Sequence, residues 1–336
     1  MPEQRTAPQA GPGPAAPGPA RAGGLEIAAT GRAVPGRVIT NDDMARVVDT
    51  SDEWIASRTG IRQRYFCAEG QSAFTLARDA AAQALARAGL SPADIGLCLC
   101  ASFTADNATP SLACQVHGAL GLGEECPAFD VNAACTGFLT ALETARCMLA
   151  ASALAAPWAL VIGAECISRV LDMADRSTCV LFGDGAGAAV VRLSAAHPYW
   201  SCLGARGDGA LLHAGGTASA DRFLHMQGQA VFRFAADIIP RTVARLLAEA
   251  GLTLADIDCV VCHQANGRII DHAAKKLGAR PGQFYKNMDR YANTSAASIP
   301  IALDELARGG RLAPGARVLC VGFGAGLTWG GALLTL

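Results

Sequence analysis

Apolar and polar positions follow two rhythms along this chain. Residues 72–88 and 228–250 space their apolar side chains at helical intervals and stop at a glycine. After a turn, each gives way to a continuous apolar run, the pattern of a strand buried on both faces. The two stretches repeat each other. Residues 85–102 read LARAGLSPADIGLCLCAS and residues 247–264 read LAEAGLTLADIDCVVCHQ, with Leu, Ala, Ala, Gly, Leu, Ala, Asp, Ile and Cys matching without a gap. Further echoes pair ALVIGAE (159–165) with RVLCVGFG (317–324), and GAGAAVVRL (185–193) with GGALLTL (330–336). The pattern predicts two related α/β halves, 25–193 and 194–336, each a parallel or mixed sheet covered by helices. A site shared by two such halves is expected in the crevice between them.

The first 24 residues break both rhythms. They are rich in Pro, Gly and Ala and lack the apolar centre of a signal peptide, so a disordered extension is expected there. No apolar run reaches the roughly 18 residues a membrane-spanning helix needs. Hydrophobic residues make up 51% of the chain and charged residues 17%, which predicts a large buried core. With 28 Lys and Arg against 29 Asp and Glu, no global basic field exists to attract nucleic acid. Thirteen cysteines are dispersed through apolar stretches rather than set out as a disulfide framework. Most read as core filler in a reducing cytosol, so a cytoplasmic protein is expected.

Among those cysteines Cys135 stands apart. PAFDV (127–131) reads as a strand and CTGFLTALETARCMLAAS (135–152) as a helix, which puts Cys135 at the turn between them. Free N–H groups and the positive end of a helix favour thiolate, so the placement predicts a nucleophile. His263 ends the repeated strand of the second half, where strand ends of a duplicated α/β fold converge on the crevice. Its segment also spells Cys-x-x-Cys-His from Cys259 and Cys262, the spacing of covalent haem attachment. Against haem stand the missing export signal, the core-like strand, and the repeat, which already explains Cys262 through Cys100. Asn293, in YANTSAAS (291–298), could by itself be only a helix cap. GFGAGLTWGGA (322–332) is a glycine-rich turn that lets backbone approach a bound group, a weak signal alone.

Taken together, these segments resemble the ketoacyl-acyl-carrier-protein synthase III family over about residues 25–336. The likeness rests on TNDDMARVVDTSDEWIASRTGI (40–61), DVNAACTGF (130–138), FGDGAGAAV (182–190), HQANGRII (263–270), AKKLG (274–278), ANTSAAS (292–298) and GFGAGLTWG (322–330), in that order. It implies a thiolase-like five-layered αβαβα fold made of two duplicated halves, and a homodimer. It implies a catalytic triad of Cys135, His263 and Asn293, with an oxyanion hole from the backbone N–H groups of Cys135 and Ala325. Trp54 and Arg176 would sandwich the adenine of coenzyme A, and Thr50 and Arg58 would help hold the nucleotide. Gly228, Phe232 and Asn266 would line the pantetheine tunnel, and Phe323 to Gly326 would border the active site. A carrier-protein patch would comprise Arg233, Arg268, Lys275 and Lys276. Thr109, reaching in from the partner subunit, would close the acyl pocket; relatives restricted to short acyl groups commonly have Phe there, so a deeper pocket is expected.

The implied reaction is the initiating condensation of type II fatty acid biosynthesis. Acyl-CoA acylates Cys135, and decarboxylative condensation with malonyl-acyl-carrier protein follows, with no metal or redox cofactor. A synthase priming a polyketide or other secondary-metabolite pathway is the alternative, because it shares nearly every motif. Elongating synthases carry a second His where this chain has Asn293, and thiolases need a cysteine within the turn that here reads GFGAG. A non-catalytic dimer partner usually lacks the nucleophile, which this chain keeps.

Overall fold

The computed structural model describes residues 24–336 apart from 152 and 217, so of the extension expected over residues 1–24 only Gly24 is described, its carbonyl accepting the Ser194 amide, and the rest lies outside the described residues. The first half begins with β1 (Leu25–Ala33), a short hairpin of β2 (Arg37–Thr40) and β3 (Gln63–Phe66), and between them α1 (Asn41–Ala45) and α2 (Asp52–Thr59). Helix α3 (Ala73–Ala88) starts at a Ser72 capping box and stops at left-handed Gly89, as the apolar spacing predicted. Then come β4 (Ile95–Ala101), α4 (Leu112–Leu120), β5 (Ala128–Val131), α5 (Gly137–Ala151), β6 (Trp158–Glu165), α6 (Arg176–Cys179) and β7 (Gly185–Leu193). The second half runs β8 (Trp200–Ala205), β9 (Leu212–Ala214), β10 (Leu224–Met226), α7 (Gly228–Ala250), β11 (Cys259–Cys262), α8 (Gly267–Leu277), α9 (Met288–Tyr291), α10 (Ser298–Arg308), β12 (Arg317–Gly324) and β13 (Thr328–Thr335).

The duplication read in the sequence reappears as matching sheets. One has the order β1-β7-β6-β4-β5, the other β11-β12-β13-β8. Their pairings correspond: β4 with β6 and β11 with β12 are parallel, while β6 with β7 and β12 with β13 are antiparallel. Strands β1 and β8 close the same edge of each sheet in antiparallel register. Even β5 has a trace of a counterpart, an isolated parallel bridge from Val260 to Phe284.

Both faces of these strands are apolar because both are covered. On β4, Leu97 and Leu99 face a central core that also holds Phe138 and Leu142 of α5 and Ile299 and Leu303 of α10. Cys98 and Cys100 face the other way, toward α3 and α4. On β11, Cys259 and Val261 join the central core, while Val260 and Cys262 face α7 and α8. The layers are therefore helix, sheet, central helix pair, sheet, helix. This arrangement brings the first turns of α5 and α10 together between the C-terminal ends of the parallel strands.

Candidate active site

Cys135 is held at the expected strand-to-helix turn, with one added detail. A 3-10 turn, Ala134–Thr136, precedes α5, and Ala134 enters it at φ 47°, a left-handed conformation that costs a residue with a Cβ energy. The turn is clamped from the second half. Thr136 Oγ1 donates to the Ala133 carbonyl at 2.7 Å and lies 2.9 Å from Thr328 Oγ1. Gly324 presses so close that a Cβ there would lie 2.9 Å from the Cys135 amide nitrogen. Gly324 is thus required by close approach, which the glycine-rich motif signalled.

The sequence placed Cys135 where a helix end favours thiolate; the structure corrects the balance. Burial pushes the thiol up to about 12, and the charge of Glu165 adds to it, while the Ser295 hydroxyl and the Cys135 amide pull the other way. Cys135 therefore rests as a thiol near neutral pH.

His263 leaves β11 directly toward this turn and is buried. Its amide donates to the Val321 carbonyl at 2.7 Å, its ring meets the Phe323 ring edge-on at 5.4 Å, and its Nδ1 lies 2.7 Å from Ser298 Oγ. Burial brings its pKa down from 6.5 to about 3, so the ring is a neutral imidazole. When the Ser298 hydroxyl donates to Nδ1, the proton sits on Nε2, which makes that nitrogen a donor. Asn293 is fixed at both ends of its backbone, through Leu181 and Gly183, and its Oδ1 accepts the Ser295 amide at 2.9 Å. With the oxygen taken, the amide nitrogen is the end that can donate.

Two cavities meet at Cys135, which lines both. The first, about 280 Å³, runs past His263, Asn293, Phe323 and Gly324 and is walled by Trp54, Arg58, Gly228, Phe232 and Asn266. Near its mouth the Arg176 guanidinium stacks over the Trp54 ring at 4.9 Å, and Asn266 Nδ2 donates to the Arg58 carbonyl at 3.2 Å. Thr50 does not line this tunnel; its hydroxyl is buried without a hydrogen-bond partner. The second cavity, about 500 Å³, is bounded by apolar Phe103, Val170, Phe182, Leu212 and Leu224, and by Ala325 and Gly326. Sequence reasoning missed the 212–216 segment that forms one wall. Thr109 is exposed and outside the lining of the cavity in its own chain.

Arg233, Arg268, Lys275 and Lys276 are all exposed, on α7 and α8. The two helices meet where the Phe232 and His272 rings touch at 6.2 Å, beside the tunnel mouth. Cys259 and Cys262 are buried within β11, pointing to opposite faces of the sheet, so the Cys-x-x-Cys-His spelling does not gather its cysteines at one haem edge. Among the described residues, Cys67, Cys166 and Asp184 bring metal-ligating atoms within 4.8 Å of one another. The Asp184 carboxylate there is already engaged by the Cys67 amide and by the Ser168 amide and hydroxyl.

Two residues that sequence reading passed over also lie beside Cys135. Glu165 ends β6, fully buried, and Ser295 stands at φ 48° in the 3-10 turn before α10. The signal for Glu165 was present: an acidic residue closing the otherwise apolar run ALVIGAE.

Comparison with known proteins follows the same lines. Residues 129–207 match the profile of 3-oxoacyl-[acyl-carrier-protein (ACP)] synthase III, and residues 247–336 match its C-terminal profile. The beta-ketoacyl-[acyl-carrier-protein] synthase III of Rhizorhabdus wittichii is 46% identical over 316 residues, covering 92% of this chain and 98% of its own. The crystal structure of the Thermus thermophilus synthase III superposes with a TM-score of 0.88 at 41% identity, over 92% of this chain and 98% of that one. The priming beta-ketosynthase of the R1128 polyketide pathway superposes with a TM-score of 0.87 at 35% identity, over 96% of this chain and 99% of that one. The chain belongs to the beta-ketoacyl-[acyl-carrier-protein] synthase III family of thiolase-like condensing enzymes.

Proposed function

We propose that this acyltransferase joins an acyl group from coenzyme A to a malonyl unit on acyl carrier protein, with Cys135, His263 and Asn293 as its catalytic residues. The observation that carries the reading is the convergence of these three side chains where a tunnel of about 280 Å³ meets an apolar cavity. The Cys135 sulfur attacks the thioester carbonyl, the C–S bond to coenzyme A breaks, and an acyl-enzyme forms. The acyl chain lies in the 500 Å³ cavity, and its carbonyl oxygen faces the amides of Cys135 and Ala325. Malonyl-carrier protein then enters the tunnel. Loss of CO₂ leaves an enolate whose oxygen receives hydrogen bonds from His263 Nε2–H and the Asn293 amide, donors that strengthen as charge develops. The enolate carbon attacks the acyl carbonyl, and Cys135 leaves as the 3-oxoacyl product forms on the carrier.

No metal or redox cofactor enters these steps. The stacked Trp54 and Arg176 pair would clamp adenine, and Arg233, Arg268, Lys275 and Lys276 would meet the acidic carrier protein. A homodimer fits the edge strand β5, whose Phe129 is 37% exposed in the single chain. No helix among the described residues is long and apolar enough to cross a membrane; a cytoplasmic location is supported by the thirteen free cysteines, which suit a reducing compartment.

The similarity to a polyketide priming synthase supports a second assignment of pathway, with the same chemistry at the same residues. The test is product analysis: acyl-CoA and malonyl-carrier protein together should yield 3-oxoacyl-carrier protein, free coenzyme A and CO₂. The Cys135→Ala enzyme should yield none. Product formation by that variant at the wild-type rate would end the assignment.

A further inference from the structure

The wall behind Cys135 holds a polar arrangement that the condensation scheme leaves unused. Glu165 is fully buried, and its two oxygens are treated differently. Oε2 accepts from the Thr104 hydroxyl at 2.5 Å, the Ser102 hydroxyl at 3.2 Å and the amides of Phe103 and Thr104 at 3.3 and 3.2 Å. Among the described residues, Oε1 has no hydrogen-bond partner. Ser295 Oγ is likewise buried and without one, yet it lies within electrostatic reach of both the Glu165 carboxyl and the Cys135 thiol. A buried acceptor and a buried hydroxyl each left without a partner carry a cost, and a small shift that brings Ser295 Oγ onto Oε1 would relieve both. The geometry that permits this is built in. The Ser295 turn lies against β6, where a Cβ on Gly163 would sit 2.4 Å from the Ala296 carbonyl, and against α5 at Gly137.

We propose that Glu165, acting through the Ser295 hydroxyl, accepts the thiol proton of Cys135 as the sulfur attacks the acyl thioester. The step balances. The S–H bond breaks and its proton goes to Ser295 Oγ, while the Ser295 hydroxyl proton goes to Glu165 Oε1. The new S–C bond forms, the bond to coenzyme A breaks, and the negative charge that began on Glu165 leaves on the coenzyme A thiolate. The inference rests on the proposed acylation of Cys135.

Two further facts suit the role. His263 is a neutral ring that serves as a donor in the second half-reaction, so the thiol proton needs another destination. The Glu165 carboxyl, raised by burial from 4.5 to about 7, can hold or release a proton near neutrality. The groups facing it are the Ser102 and Thr104 hydroxyls and the 103 and 104 amides after β4, the Ser295 hydroxyl before α10, and the Cys135 thiol before α5. The thiol is the one titratable group among these.

The experiment measures two rates against pH in the full-length wild-type, Glu165→Gln, Glu165→Asp and Ser295→Ala enzymes. One is acylation of Cys135 by acyl-CoA; the other is its alkylation by iodoacetamide, which needs no substrate recognition. Ser295→Ala leaves the backbone tolerable, because Ala134 already adopts the same left-handed turn in the first half. Wild type should show a limb near pH 7 in both rates. Glu165→Gln and Ser295→Ala should lose the limb and acylate on the order of 100-fold more slowly, with Glu165→Asp restoring part of both. An unchanged rate and limb in Glu165→Gln or Ser295→Ala would overturn the relay. If alkylation shows the Glu165-dependent limb but no acyl group transfers, the relay stands and the acylation reading falls.

Discussion

At the residue scale, the division of labour proposed for Cys135, His263 and Asn293 makes a sharp expectation. His263→Ala and Asn293→Ala should slow malonyl decarboxylation by about 100- to 1000-fold each, while acylation of Cys135 falls far less. Radiolabelled CO₂ release and acyl-enzyme mass, measured separately, check this; equal losses in both would contradict it. The state of His263 gives a second expectation. Its folded pKa, about 3, lies below the ordinary 6.5, so the unfolded chain takes up a proton first as pH falls. The stability contributed by the neutral ring is complete above pH 6.5 and is lost progressively towards pH 3. Decarboxylation should accordingly show no imidazole limb between about pH 5 and pH 8, and a limb near 6.5 that vanishes in His263→Gln would refute the neutral donor. Cys135 and His263 were legible as candidates because each stands at a strand or helix end, whereas Asn293 was legible only through the ANTSAAS motif of the family resemblance. The protonation of Cys135 was not, since the helix end was visible in the sequence while the enclosing wall, Glu165 included, comes from distant segments.

At the element scale, the duplication does more than repeat a shape. The 3-10 turns before α5 and α10 begin at Ala134 and Ser295, both left-handed, so Asn293 in one half stands where Asn132 stands in the other. Fold symmetry thus brings the nucleophile turn and the Asn293 turn together between the sheets. The strand and helix repeats were readable as matching letters. This pairing of turns was not, because NAACTG and NTSAAS share little beyond their conformation. The clamp on the nucleophile turn predicts that Gly324→Ala, whose Cβ would meet the Cys135 backbone at 2.9 Å, lowers acylation steeply. A thermal melt should show the sheets intact, and wild-type acylation would mean the turn is looser than described. On the outer layer, Arg268→Glu on α8 should raise KM for malonyl-carrier protein at low salt and leave acyl-CoA acylation nearly intact. Unchanged carrier kinetics would remove the patch.

At the scale of the whole molecule, five layers place one tunnel and one apolar cavity side by side at Cys135, and the sequence could forecast the crevice but not the cavity's size. Its walls, Phe103, Val170, Leu212 and Leu224, come from four separate segments. A volume of about 500 Å³ leaves room for primers longer than acetyl, each buried methylene contributing about 0.8 kcal/mol. If, as proposed, Thr109 of a partner subunit closes the far end, Thr109→Phe should shift preference back towards acetyl, and an unchanged preference would locate selectivity elsewhere. The most direct measurement is intact mass of the protein after mixing with acetyl-, isobutyryl-, hexanoyl- and octanoyl-CoA, with peptide mapping of the adduct. One acyl group should appear on Cys135, from the longer primers at least as readily as from acetyl, and adding malonyl-carrier protein should discharge it. Acyl mass mapped to another cysteine, or no adduct from any primer, would contradict Cys135 as the nucleophile of a condensing enzyme.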